Sequence, residues 1–187
     1  MPNKLLETLK CLDGEVFHLS YHQDRMTRSC KTLGLDTAPS LKLSPPKLGL
    51  FRCRVVYEQK IEKVEYLPYI LTLPQTFKLV HTNIDYALKY EDRTELNALS
   101  DEHSDEVIII KNELVTDTCI ANICFYDGKQ WLTPKTPLLK GTTRQRLLDE
   151  KKIKEADIHM SEIKKYKKIA LLNAMIDFTI IENAIIS

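Results

Sequence analysis

Excess charge of either sign is missing from this sequence. Basic residues number 27 and acidic residues 26, which leaves a formal net charge of +1. Such a chain carries no electrostatic footprint for nucleic acid or for an anionic membrane surface. Cysteine is sparse and scattered, at Cys11, Cys30, Cys53, Cys119 and Cys124, with no C-x-x-C pair. Neither a disulfide framework nor a zinc or other metal site reads from that spacing, and a reducing compartment is favoured. No apolar run is long enough to span a bilayer, and no leader segment is evident. Repeats and low-complexity tracts are also lacking. What is present is an ordinary globular composition, 43% hydrophobic and 28% charged over 187 residues. That suits one domain or two small ones in a cytoplasmic protein without nucleic-acid or membrane partners.

The patterning alternates between strand and helix. Residues 5–19 read as two short strands around an Asp13-Gly14 turn. The stretch LSYHQDRMTRSCKTLGL reads as a helix with Leu19, His22, Met26, Cys30 and Leu33 on one face. Ser20 and Gln23 have capping-box spacing, and Gly34 is its stop. Three prolines make APSLKLSPPKLG a loop. LFRCRVVYEQ alternates as a strand, which puts Arg52 and Arg54 on the same face. Pro68 and Pro74 mark a connection between a small lobe, residues 1–70, and a second lobe, 71–187, expected to carry Lys89, Asp117 and a Gly-Thr-Thr turn. A helix is expected after Lys89. Strands follow across EVIIIKNELVTDTCIANICFYDGKQWLTP, with turns at Lys111–Glu113 and Asp127-Gly128. A helix is expected to open at Thr142 or Thr143, and a helix with closing strands ends the sequence. The fold class is α/β (α+β).

Four features could carry chemistry, and each has a plainer alternative. Asp117 lies in VTDTCIANI, an otherwise small and apolar run with no charge partner beside it. Either it is on the surface or something other than protein meets it, because a lone buried carboxylate is costly. LLKGTTRQRLL places a glycine and two threonines at a helix start, where free N–H groups, dipole and hydroxyls make an anion site. Taken alone, those residues favour the plainer reading, a threonine cap on a surface helix, because such caps are common. Arg25, one turn after His22, could join such a site as a phosphate ligand or be a solvated helical arginine. Lys89 could form a Schiff base if desolvation lowers its pKa, or be an ordinary surface lysine. A carboxylate such as Asp117 would suit the ring nitrogen of a pyridine cofactor, keeping it protonated.

The order Arg, Lys, Asp, Gly-Thr-Thr resembles the class IV (fold-type IV) pyridoxal-phosphate enzymes, and the match covers most of the chain. LETLKCLDGEVFHLSYHQDRMTRSC resembles the family's early hairpin and its H-x-x-R-(L/M) helix, which implies phosphate binding by Arg25. LKYEDRTELNAL resembles the Schiff-base segment, which implies that role for Lys89. DEVIIIKNELVTDTCIANICFYDGKQWLTP resembles the stretch whose acidic residue meets the pyridine nitrogen, here Asp117. LLKGTTRQRLL is similar to G-(I/V)-T-R. It implies that Leu139 packs on the ring and that Thr142 and Thr143 bind phosphate. The implied architecture is the two-lobed D-amino-acid-aminotransferase-like fold with the cofactor, pyridoxal 5'-phosphate, at the lobe junction.

Within the family the chain is most similar to aminodeoxychorismate lyases. CIANI and LLNAM carry that likeness, and Asn173 in LLNAM falls at a cofactor-binding position. Thr8 falls where lyases carry a threonine that helps proton transfer. The implied reaction is elimination of pyruvate from 4-amino-4-deoxychorismate, giving 4-aminobenzoate for folate synthesis, by a homodimer. Arg52 and Arg54 are candidates for the carboxylate of the small amino-acid-like substrate, with Arg52 the better match; both could instead be exposed strand arginines. The alternatives are a class IV aminotransferase acting on branched-chain or D-amino acids, and a non-catalytic member. The sequence departs from the pattern in carrying Asp117 where glutamate is usual, in Lys140, and at Asp92, Arg93 and Thr94. It is also shorter than the family's usual span.

Overall fold

The Asp13-Gly14 pair does what its chemistry allows. Both residues have positive φ, 49° and 86°, which is the type I′ geometry that suits a two-residue hairpin. They join β1 (Leu5–Leu12) to β2 (Glu15–Val16). The coordinates are those of a computed structural model and describe residues 4–100 and 102–187. In it the chain forms two units, Met1–Leu71 with Leu88–Asp92, and Thr72–Ala87 with Arg93–Ser187.

In the first unit α1 (Leu19–Thr32) follows the hairpin. The strands β3 (Leu50–Tyr57) and β4 (Ile61–Pro68) then complete an antiparallel sheet in the order β2-β1-β3-β4. The capping box expected at Ser20 and Gln23 does not form. His18 enters the helix in the left-handed region at φ 53°, with no side-chain cap. Gln23 instead fastens the proline loop, donating to the Pro39 carbonyl at 3.0 Å and accepting from Leu41 N at 2.8 Å. The stop at Gly34 is a full Schellman motif. Leu35 N donates to Cys30 O, Gly34 N donates to Lys31 O, and Gly34 sits at φ 70°. The buried face of α1 is His22, Arg25, Met26, Ser29 and Cys30, whereas Leu33 is exposed. It packs with Leu5, Leu9, Cys53, Val55 and Tyr57 into one core.

The segment around Lys89 differs from expectation. It runs with the first unit rather than the second, and it is not the start of a helix. Leu6 N donates to Lys89 O and Glu91 N donates to Lys4 O, both at 2.8 Å, around an antiparallel Leu5–Tyr90 bridge. The open edge of β1 thus captures this backbone. Only one helical turn, α2 (Thr94–Asn97), follows it; Asp101, at the end of the expected helix, lies outside the described residues.

The second unit contains β5 (Thr76–His81), α2, β6 (Glu106–Lys111), β7 (Leu114–Thr118), β8 (Asn122–Tyr126), β9 (Trp131–Pro134) and α3 (Thr142–Asp149). After these come β10 (Lys154–Ala156), a 3-10 helix at Met160–Lys165, β11 (Lys168–Asn173), β12 (Asp177–Ile181) and β13 (Ile185–Ile186). One sheet has the order β13-β5-β6-β7, with β5 and β6 parallel. The other has the order β10-β9-β8-β11-β12. The expected turns are present: Asn112 and Glu113 have φ 52° and 62°, and Gly128 has φ 102°. Phe77, Ile108, Ile110, Phe125, Ile158 and Leu171 fill the core behind β7 and β8. Among the described residues no helix is long and apolar enough to cross a membrane. The architecture is mixed α/β, as expected.

Leu9 is wholly buried at the centre of β1, and Leu48 is 81% exposed. Leu9→Ala is expected to cost about 2–5 kcal/mol in urea denaturation, and Leu48→Ala to stay within about 0.5 kcal/mol of wild type.

Candidate active site

Asp117 lies near the end of β7 and is only 4% exposed. Of the two readings the sequence offered, a surface position is excluded by this burial, and two protein donors already meet the carboxylate. Asn122 Nδ2 donates to Asp117 Oδ1 at 2.6 Å, and Leu139 N donates to Oδ2 at 2.9 Å. These donors are neutral, so they are invisible to a search for charge partners. Burial pushes the Asp117 carboxyl up to about 7, against the pull of the Leu139 and Asn122 hydrogen bonds and the Arg144 charge. Each oxygen accepts one of these bonds and a carboxylate has about four lone-pair sites, so capacity remains for another donor.

Leu139 also leads into the Gly-Thr-Thr turn. Gly141 is the N-cap of α3, and the first helical hydrogen bond runs from Gln145 N to Gly141 O. Thr142 and Thr143 are both buried, the helix has no side-chain cap, and its first turn holds no acidic residue. Lys140 is exposed. Arg144, the next residue, is turned to structural use, donating to the Pro134 carbonyl at 2.8 Å and to Glu155 at 2.6 Å. The donor set of this unit fits a phosphorylated pyridine. It has one carboxylate with spare acceptor capacity, a leucine beside it, and a helix start with two hydroxyls and a favourable dipole.

The first unit holds a second buried carboxylate, which sequence reading missed. Glu7 on β1 is fully buried. It accepts from Arg25 Nε at 2.8 Å, from Arg25 Nη2 at 2.5 Å and from His22 Nδ1 at 2.7 Å. The bidentate arginine and the histidine overcome burial and hold Glu7 at about 2. Burial pushes His22 down, with the charges of Arg25 and Lys89 acting in the same direction. Arg25 and Lys89 therefore share one electrostatic neighbourhood. The signal that could have located Glu7 was its place in an apolar alternation, between Leu5 and Leu9.

Thr8, Arg52 and Arg54 occupy the opposite face of the same sheet. Thr8 pairs with Arg54 and Lys10 with Arg52 in the register of β1 and β3, and alternation turns this row away from Glu7. Arg54 is committed to Glu65 at 3.4 Å. Arg52 lies 6.0 Å from the Tyr69 ring centre, and its Nε is buried without a hydrogen-bond partner.

In the second unit Asn173 is spent on a turn. Its Oδ1 accepts from Met175 N and Ile176 N, and its amide donates to Ile120 O at 3.3 Å. Arg93, at the start of α2, ties that turn to the loop after Asp117, donating to Cys119 O at 2.5 Å. It lines a cavity of about 370 Å3 with Ser104 and Glu106. Arg93 Nε and Ser104 Oγ are buried there without partners.

Removing one partner of a buried ion pair strands the other, at a cost of about 3–5 kcal/mol. Glu7→Gln is expected to lose about that much at neutral pH. Because the folded carboxyl titrates at about 2, below its ordinary 4.5, the wild-type advantage is complete above the ordinary value. It is expected to close as pH falls towards 2, which denaturant titrations of both proteins across that range would measure.

The family described as Amino-transferase class IV matches residues 74–184. A Haemophilus influenzae protein described as uncharacterized is 37% identical over 182 residues, covering 91% of this chain and 97% of that protein. A crystal structure from Haemophilus somnus, provisionally named a 4-amino-4-deoxychorismate lyase, superposes with a TM-score of 0.82. It is 36% identical and covers 94% of this chain and 97% of its own. A hypothetical aminotransferase from Mycobacterium tuberculosis, in a form bound to pyridoxal phosphate, has a TM-score of 0.79. At 15% identity, over 99% of this chain and 81% of its own, it shares the fold. With the family match over residues 74–184 and the two Haemophilus relatives at 37% and 36% identity over nearly the whole chain, the chain belongs to the class IV aminotransferase family.

Proposed function

We propose that the chain is a pyridoxal-phosphate-dependent lyase that eliminates pyruvate from 4-amino-4-deoxychorismate and releases 4-aminobenzoate. It would act in the cytoplasm, as a homodimer, in folate synthesis. The observation that carries the reading is Asp117, a buried carboxylate oriented by neutral donors and set directly against the Leu139–Thr143 helix start. The likeness to the Haemophilus somnus protein supports the lyase branch.

When bound, pyridoxal phosphate supplies a sink for the electron pair left on the substrate's α-carbon. The rest is assigned to this chain's residues. Thr142 and Thr143, with N–H groups and hydroxyls, and Arg25, aimed by Glu7, hold the phosphate. Leu139 covers the ring. Asp117 keeps a proton on the ring nitrogen. Lys89 would hold the group through its amine, and Lys89 Nζ, once free, would take the proton from the carbon that bears the substrate's amine. Thr8 Oγ1 passes a proton towards the departing enolpyruvyl oxygen. The bond from that oxygen to the neighbouring carbon breaks, the ring becomes aromatic, and pyruvate leaves with no oxidant or water consumed. Arg52 is assigned to the substrate carboxylate in preference to Arg54, because Glu65 already occupies Arg54. Asn173 is assigned to shaping its turn, since both ends of its amide are engaged.

Added pyridoxal phosphate is expected to give a visible absorption band with wild type that borohydride fixes on Lys89, and none fixed in Lys89→Ala. Pyruvate release from 4-amino-4-deoxychorismate without an acceptor is expected for wild type. It should fall by about 10²–10⁴-fold in Lys89→Ala, the range for loss of a positioned acid–base group. Amino transfer to an oxo acid without pyruvate release would replace the lyase with an aminotransferase. No band at saturating cofactor would leave a non-catalytic member of the family.

A further inference from the structure

The environment of Asp117 contains one residue whose chemistry the catalytic assignment does not use. Asn122 opens β8, five residues after Asp117, and is buried. The turn between them is tight. Thr118 N and Oγ1 both donate to Ala121 O, and Ala121 N donates back to Thr118 Oγ1 at 3.1 Å. This brings the Asn122 side chain alongside the carboxylate.

Asn122 Nδ2 has two hydrogens and two acceptors. It donates to Asp117 Oδ1 at 2.6 Å and to Leu139 O at 2.8 Å. Leu139 N returns a bond to Asp117 Oδ2. Three hydrogen bonds thus close a ring through β7, β8 and the turn before α3. Both acceptors facing Nδ2 are oxygens, so the orientation of the amide is fixed by chemistry. Its other end rests on Gly141. A Cβ added there would lie 2.0 Å from Asn122 Oδ1 and 3.2 Å from Cγ. Gly141 has φ −67° and ψ 149°, an extended conformation open to any residue. Its lack of a side chain therefore serves the approach of Asn122, not a backbone requirement.

The choice of donors is informative. A carboxylate kept only for stability would gain most from an adjacent arginine, as Glu7 has in the first unit. Asp117 has an amide and a backbone N–H instead, and Arg144, the charged group acting on it, is committed to Pro134 and Glu155. Neutral donors orient the group but leave its ionised form without a counter-charge, so a cationic ligand group would stabilise that form.

We propose that Asn122 is a positioning residue that, with Leu139 N–H and the space left by Gly141, locks the plane of the Asp117 carboxylate and couples it to the Gly-Thr-Thr helix start. The functional meaning rests on the assignment of Asp117 to the ring nitrogen, but the clamp itself is testable without cofactor.

The test is carbon-13 NMR titration of the Asp117 carboxyl in the cofactor-free protein, for wild type, Asn122→Ala and Gly141→Ala. Wild type is expected to titrate near 7. Loss of a charge-assisted hydrogen bond is expected to raise the midpoint by about one to two units in Asn122→Ala, with a shift in the same direction in Gly141→Ala. An asparagine that serves only the Thr118–Ala121 turn, without a hold on the carboxylate, would leave the midpoint in place. An unchanged midpoint in an Asn122→Ala protein with a native amide spectrum overturns the proposal. If Gly141→Ala does not fold, Asn122→Ser, which retains a short donor, replaces it and should fall between wild type and Asn122→Ala. The same samples titrated with pyridoxal phosphate separate the two readings. A midpoint shift with no cofactor binding by wild type supports the clamp and removes the assignment of Asp117 to a ring nitrogen.

Discussion

The cost of placing a negative charge in a protein interior organises both halves of this molecule. Desolvation penalises the charged form wherever a carboxylate is buried. Among the described residues three are buried, Glu7, Glu106 and Asp117, and the first and last are treated in opposite ways. Glu7 is neutralised by the fork of Arg25 and by His22, and is held at about 2. Asp117 receives only neutral hydrogen bonds at close range and is pushed up to about 7. The first arrangement is a structural anchor that aims an arginine. The second leaves a charge in need of a cation, which is the property a protonated ring nitrogen would use.

The rest of the second unit follows from keeping Asp117 in place. β7 supplies the residue, the Thr118–Ala121 turn brings Asn122 beside it, and the Leu139 backbone closes the ring from the far side. Gly141 must then be small, and the helix it caps begins at Thr142. One short sequence, LLKGTT, therefore serves the carboxylate with its first half and opens α3, with Thr142 and Thr143 buried, with its second. Arg144 and Arg146 would bring positive charge to that helix, but Arg144 is bound to Glu155, and Arg146 to Glu150 and Asp177.

Local features were legible where a single residue type decides a backbone state. Asp13-Gly14, Gly34 and the turn at Asn112-Glu113 are such places. The alternation that put Arg52 and Arg54 on one face held, and so did the helix opening at Thr142. The missed features depend on partners distant in sequence. Lys89 reads as the start of a helix until the free edge of β1 is available to bind its carbonyl. The Ser20–Gln23 box loses to a loop 16 residues away that needs the Gln23 amide. Neutral donors on Asp117 include an amide five residues on and a backbone N–H 22 residues on, and neither leaves a mark in composition or period. Resemblance to a family identified Asp117; the structure explains why a carboxylate can stand there before any ligand arrives.

The central claim is that Asp117 keeps its charge for a ring nitrogen. The most direct measurement is the nitrogen-15 chemical shift of ring-labelled pyridoxal phosphate bound to wild type and to Asp117→Ala. The account predicts a protonated ring nitrogen in wild type across neutral pH and a neutral one in the variant. An unprotonated nitrogen in wild type, or the same shift in both proteins, would contradict it.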